Sequence, residues 1–160
     1  MRPERFERLL ADAINTDGRL TARTYTEAGF TRSLHGIIAT TRTGVPINLQ
    51  IVGRLADGER NDHPAPPVTG TPHEQLNTPD PAENGTLDLT TFEQYIAGLV
   101  TAAAPDEIKT VSLYQDRETP GAVRYGATIT YHSGAATFLY VLSAGTTRHE
   151  DFTPPAKVSA

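Results

Sequence analysis

The stretch Gly36 to Gly53, GIIATTRTGVPINLQIVG, carries the clearest pattern in the chain. From Val45 onward, Val45, Ile47, Leu49 and Ile51 alternate with Pro46, Asn48, Gln50 and Val52, the period of two of a strand that buries one face. Ile37 to Arg42 is rich in β-branched residues. Thr43-Gly44 between the two runs offers a residue that tolerates positive φ, so the stretch reads as a β-hairpin.

Ninety positions on, GATITYHSGAATFLYVLSAG (Gly126 to Gly145) has the same layout, with Gly36, Thr40, Gly44 and Leu49 recurring as Gly126, Thr130, Gly134 and Leu139. Its reversal is expected at Ser133-Gly134. Each hairpin also follows a helix and an additional strand. Phe6, Leu9, Leu10, Ala13 and Ile14 recur at the spacing of an amphipathic helix over residues 3–14, closed by Asp17-Gly18. Leu20 to Glu27 then suits a short strand. In the second part Thr90 with Glu93 predicts a capping box at a helix start, Phe92, Ile96, Leu99, Val100 and Ala103 give its apolar stripe, and Pro105 stops it. Gly98 weakens that helix by about 1 kcal/mol relative to Ala. Ile108 to Gln115, Val123 to Tyr131 and Ala135 to Leu142 complete a three-stranded meander.

The order of elements implies an α+β fold of two αβββ-like halves, each a helix followed by an antiparallel meander, packed as one domain. It raises an internal duplication as the origin of the pattern. Residues 1–55 form the first half and 87–145 the second. Residues 56–86 form the connector between them, and the segment from Ala56 to Gly85 holds six of the twelve prolines with little apolar content. Such long irregular connectors are either functional or disordered. Residues 146–160 read as a loose polar tail.

Composition excludes several chemistries. With no cysteine, disulfides, thiolate nucleophiles and cysteine-ligated metals are out. A formal net charge of −5 argues against a nucleic-acid backbone binder. No apolar run reaches the roughly 18–20 residues of a membrane span, and no secretory signal opens the chain, so a cytoplasmic location is expected. Arg2, Arg5 and Arg8, interleaved with Glu4 and Glu7, read as a solvated helix face.

A two-residue turn at Ser133-Gly134 would place Tyr125, Ala127, Ile129 and Tyr131 on one face with Ala136, Phe138, Tyr140 and Leu142. Such a face suits a partner protein or a flat ligand. Tyr114, Tyr125, Tyr131, Phe138, Tyr140, Arg124 and His132 are the candidate binding residues. The competing reading is that the helix over 88–104 covers this face as core, which the more threonine-rich opposite face favours.

His63 and His73, with Asp62 and Glu74, have no metal-ligand spacing, and His149-Glu150-Asp151 lies in the tail, so no metal or cofactor is assigned. Ser33, Ser112, Ser133, Ser143 and Ser159 stand in no nucleophile motif, and no phosphate-binding loop occurs. Gly44 to Glu59, GVPINLQIVGRLADGE, is similar to a short segment near the C terminus of amidase-signature enzymes. The chain lacks the glycine- and serine-rich segment and the catalytic lysine of that family, so the likeness implies no activity.

The reading that follows is a non-enzymatic, acidic, cytoplasmic protein-interaction module of the immunity, adaptor or chaperone kind. One alternative is a small-molecule binder or enzyme with a pocket between sheet and helices, lined by His35, Arg42, Arg124 and His132. Another is a structural or assembly subunit whose exposed β-edges pair into a homo-oligomer.

Overall fold

A computed structural model describes residues 1–63, 65–145 and 156–159. Helix α1 (Pro3–Asp17) starts with a proline in its first turn, where no N–H is needed, and stops at Gly18 in the left-handed region (φ 78°). Strand β1 (Leu20–Thr24) follows. It is shorter than the sequence suggests, because Thr24 and Glu27 form a reciprocal capping box that turns the next residues into a single helical turn, α2 (Tyr25–Ala28). Strands β2 (Gly36–Thr41) and β3 (Pro46–Arg54) are the expected hairpin. After the connector come β4 (Thr86–Asp88), α3 (Leu89–Ala103), β5 (Ile108–Leu113), a 3-10 turn at Tyr114–Asp116, β6 (Gly126–Tyr131), β7 (Ala136–Ala144) and β8 (Lys157–Ser159).

Six strands form one antiparallel sheet in the order β1-β2-β3-β7-β6-β5. Each half contributes a meander, and β3 and β7 join the halves at the centre. Gln50 pairs with Tyr140, Leu49 with Val141 and Ile51 with Leu139. A residue of the β2–β3 hairpin and the residue ninety positions later in the β6–β7 hairpin are thus related by a twofold axis through the Gln50/Tyr140 pair, normal to the sheet.

The helices α1 and α3 cover one face. Phe6, Leu10 and Ile14 from α1, and Phe92, Tyr95, Ile96 and Val100 from α3, pack against Ile37, Ala39, Ile47, Leu49, Ile129, Leu139 and Val141, all nearly inaccessible. Each large apolar side chain so buried contributes about 1.5–3 kcal/mol. The symmetry extends to polar detail. The Glu7 carboxylate of α1 accepts from Gly36 N (3.1 Å), and the Glu93 carboxylate of α3 accepts from Gly126 N (2.7 Å). On the other face the Tyr25 ring and the Leu49 carbonyl occupy the space a Cβ at Gly36 would need, as the Tyr114 ring and the Leu139 carbonyl do at Gly126.

Several expectations are corrected. The α3 cap is Asp88, whose carboxylate accepts from Thr90 N (2.9 Å) and Thr91 N (3.2 Å), so Glu93 is not half of a capping box. The Thr90 hydroxyl donates to the same carboxylate and leads the effects holding it below the usual carboxylate range. The arginine face of α1 is solvated at Arg5 and Arg8 but is also engaged in ion pairs: Arg2, half-buried, pairs with Glu59 (3.1 Å), and Arg5, though exposed, makes a forked pair with Glu107. These pairs tie α1 to the connector and to the loop after α3. Of the expected loose tail, residues 157–159 pair with β4, and residues 146–155 lie outside the described ones.

The connector is laid along α3. Gly70 N donates to Asp106 O (2.8 Å), His73 N to Pro105 O (2.9 Å) and Leu76 N to the Thr101 hydroxyl (3.1 Å). Among the described residues no helix is long and apolar enough to cross a membrane.

Candidate functional site: the uncovered sheet face

Both hairpins turn through three residues. Thr41 N bonds Val45 O (3.0 Å) around Arg42, Thr43 and Gly44, and Tyr131 N bonds Ala135 O (3.1 Å) around His132, Ser133 and Gly134. Gly44 (φ 91°) and Gly134 (φ 88°) take the left-handed position that such loops require. The expected two-residue turn at Ser133-Gly134 is therefore one residue short. A slip of one reverses every side chain of a strand. Thr128 faces Phe138 and Ala127 faces Leu139, so Phe138 and Tyr140 point away from the helices, while Tyr125 and Tyr131 point into the core.

The face away from the helices has no covering layer among the described residues. Its middle row runs from Gly36 through Gln50 and Tyr140 to Gly126. The Tyr25 ring lies over the Gly36 end, against Phe30 (ring centroids 4.3 Å apart), and donates its hydroxyl to Asn48. The Tyr114 ring lies over the Gly126 end, 6.0 Å from Tyr140, with the Arg117 guanidinium 3.3 Å above it. Phe138 and Tyr140 lie nearly parallel, centroids 6.4 Å apart. Val52, paired with Phe138, is 39% exposed. Gln50 donates to Ser33 (3.0 Å), which anchors the loop before β2 beside this row, and the next residue, Leu34, is 87% exposed.

Symmetry shows how the halves differ. Asn48 and Gln50 occupy the positions that Phe138 and Tyr140 occupy across the axis, so one shared scaffold presents a polar half and an aromatic half. Charge is also partitioned. None of the six strands contains Asp or Glu, while Arg23 pairs with Ile38 and Arg54 with Ala136 on the uncovered face. Among the described residues the acidic side chains lie in the helices, the loops and, at Asp88, the short strand β4.

Of the seven candidate residues, the structure brings Tyr114, Phe138 and Tyr140 together. Tyr125 and Tyr131 lie beneath the sheet, where burial raises the Tyr131 hydroxyl above its ordinary range. Arg124 is exposed, its guanidinium 5.9 Å from the Tyr125 ring centroid. His132 sits in the β6–β7 turn and donates through Nε2 to the Thr71 carbonyl (3.0 Å), holding the connector. Val52, Arg117 and Leu34 were not singled out from sequence, although the alternation over 45–52 had already placed Val52 opposite the buried residues.

His35, Arg42, Arg124 and His132 do not converge. His35 Nδ1 lies 3.3 Å from the Glu7 carboxylate, and Arg42 and His132 occupy turns at opposite ends of the sheet. The space between sheet and helices is filled by the core. A cleft of about 520 Å³ lies instead at the rim, among Arg2, Arg5, Pro67, Val68, Glu107 and Tyr131. His63 bridges to Arg60, and among the described residues no group of three or more metal-type ligands comes together. The segment His149-Glu150-Asp151 lies outside the described residues.

Comparison of the chain with protein families, with curated proteins and with solved structures returns no significant match.

Proposed function

We propose that the chain is a non-enzymatic, cytoplasmic protein-interaction module of the immunity, adaptor or chaperone kind, whose uncovered sheet face binds an acidic surface on a partner protein. The observation that carries this reading is the pairing of half-buried aromatic side chains and an exposed valine with a six-stranded layer free of carboxylates. Phe138, Tyr140 and Val52 supply area, and Arg23, Arg54 and Arg117 supply charge of one sign, in a chain whose net charge is −5. Aromatic and arginine side chains are the residue types that dominate interface energetics.

The test is quantitative capture. A partner taken up by the wild type should be lost with Phe138→Ala plus Tyr140→Ala, and weakened by Arg54→Glu and by added salt. It should be kept by Asp12→Ala on the helix side. A partner that ignores the sheet variants but responds to the helix-side one would sink this assignment.

The same reading includes an internal duplication as the origin of the two halves. Its support is the matched set of Glu7/Glu93, Gly36/Gly126, Tyr25/Tyr114 and Leu49/Leu139, each pair in equivalent contacts. A second functional reading, small-molecule binding, has the rim cleft beside Arg5 and Glu107 in its favour. Ligand screening by thermal shift with Val68→Trp, which would fill that cleft, decides it.

A further inference from the structure

The two outer strands of the sheet, β1 and β5, occupy equivalent positions, but their free edges are treated differently. In an antiparallel sheet a residue that spends its N–H and C=O on one neighbour turns none toward the other. Thr41 and Val45 are bonded across the first hairpin, and by alternation so are Ala39 and Ile47, and Ile37 and Leu49. Ala22 and Thr24, which pair with Ala39 and Ile37, therefore point their backbone groups out of the sheet. Tyr131 and Ala135 are bonded across the second hairpin, and by alternation so are Ile129 and Thr137, and Ala127 and Leu139. Val111 and Leu113, which pair with Ile129 and Ala127, therefore point outward in the same way.

On β1, Leu20 at its start aside, the outward positions are engaged by side chains. The Asn15 amide receives Ala22 N (2.8 Å) and donates to Ala22 O (3.0 Å), standing in for a neighbouring strand. Glu27 accepts Thr24 N (2.8 Å). On β5 no side chain among the described residues bonds the backbone of 109–113. Thr101, at the place on α3 that corresponds to Asn15 on α1, turns back to its own helix and donates to Ala97 O (2.8 Å). The side chains differ in the same sense. Ala22 and Thr24 are replaced by Val111 and Leu113, both only partly buried. Lys109 and a bulge guard the start of β5, but the strand beyond them is regular and uncharged.

We propose that β5 is an assembly edge, and that its occupant is β5 of a second copy of this chain. Antiparallel pairing about a twofold at Ser112 sets Val111 of each copy opposite Leu113 of the other. Both outward-facing residues then exchange backbone bonds, and their half-exposed apolar side chains cover one another. Lys109 of one copy stays well away from Lys109 of the other. The blocked β1 edges lie at the two far ends, so assembly stops at a dimer with a continuous sheet. This edge is separate from the uncovered face, and either assignment can fail without the other.

The experiment is size-exclusion chromatography with light scattering from micromolar to the highest soluble concentration, on wild type, Val111→Pro and Leu113→Lys. Val111→Pro removes an outward N–H and none of the bonds to β6, a position where an edge strand tolerates proline. Circular dichroism checks that each variant folds. The wild type should be a dimer, and both folded variants should raise the dissociation constant about tenfold or more. A wild type that stays monomeric throughout overturns the proposal and leaves the edge to a strand from another protein. A dimer indifferent to both folded variants overturns it equally.

Discussion

Glu93 is almost fully buried yet holds the N–H groups of Gly126 (2.7 Å) and Gln115 (3.1 Å), and burial pushes its carboxyl up to about 7 against the pull of those two donors. A carboxyl raised in the folded state favours folding when protonated. Its contribution is fully present below about pH 4.5 and is lost as pH rises through about 7. Denaturant unfolding across that range should show stability falling by an amount on the order of 2–3 kcal/mol, a slope that Glu93→Gln should flatten. The sequence showed Glu93 three residues after Thr90, and the capping pattern claimed it. Nothing local reveals that a carboxylate on one turn of α3 is needed 33 residues later at Gly126. The two glycines were legible as a repeated pair, but their cause was not. Gly36→Ala and Gly126→Ala each force a Cβ against a tyrosine ring and a strand carbonyl, and each should cost about 1–3 kcal/mol in urea unfolding.

Among the elements, α3 explains a residue that propensity alone marks as a fault. A Cβ at Gly98 would meet the Asn77 carbonyl and the Thr78 hydroxyl at 2.5 Å, so the glycine lets the connector lie against the helix. Gly98→Ala should therefore lower the melting temperature, although alanine improves an isolated helix by about 1 kcal/mol. The strands and helices themselves were readable because alternation and helical spacing are local. Facing was not, since it depended on whether the loop after Tyr131 held two residues or three. The short strand β1 was overextended because Thr24 and Glu27, a capping pair three apart, sat inside a run of threonine and tyrosine. That pair also closes an edge. Asn15→Ala with Glu27→Ala should expose β1 and produce species larger than those of the wild type in light scattering.

At the scale of the whole molecule, the sheet is a symmetric frame with asymmetric furnishings: polar against aromatic at its centre, sealed against open at its edges. Composition predicts an acidic chain but not that the six-stranded sheet holds none of the acid, because that partition appears only once the strand boundaries are known. The pairing of β3 with β7 has one more consequence, for the time course of synthesis. The first half can complete its meander by Arg54, but the strand that seals β3 ends at Ala144. At about 5–20 residues per second, an apolar strand with unpaired backbone waits roughly 5–20 s on the ribosome for its partner. A chain arrested after residue 60 should expose that waiting strand, read as binding of a hydrophobic dye that the finished chain no longer shows.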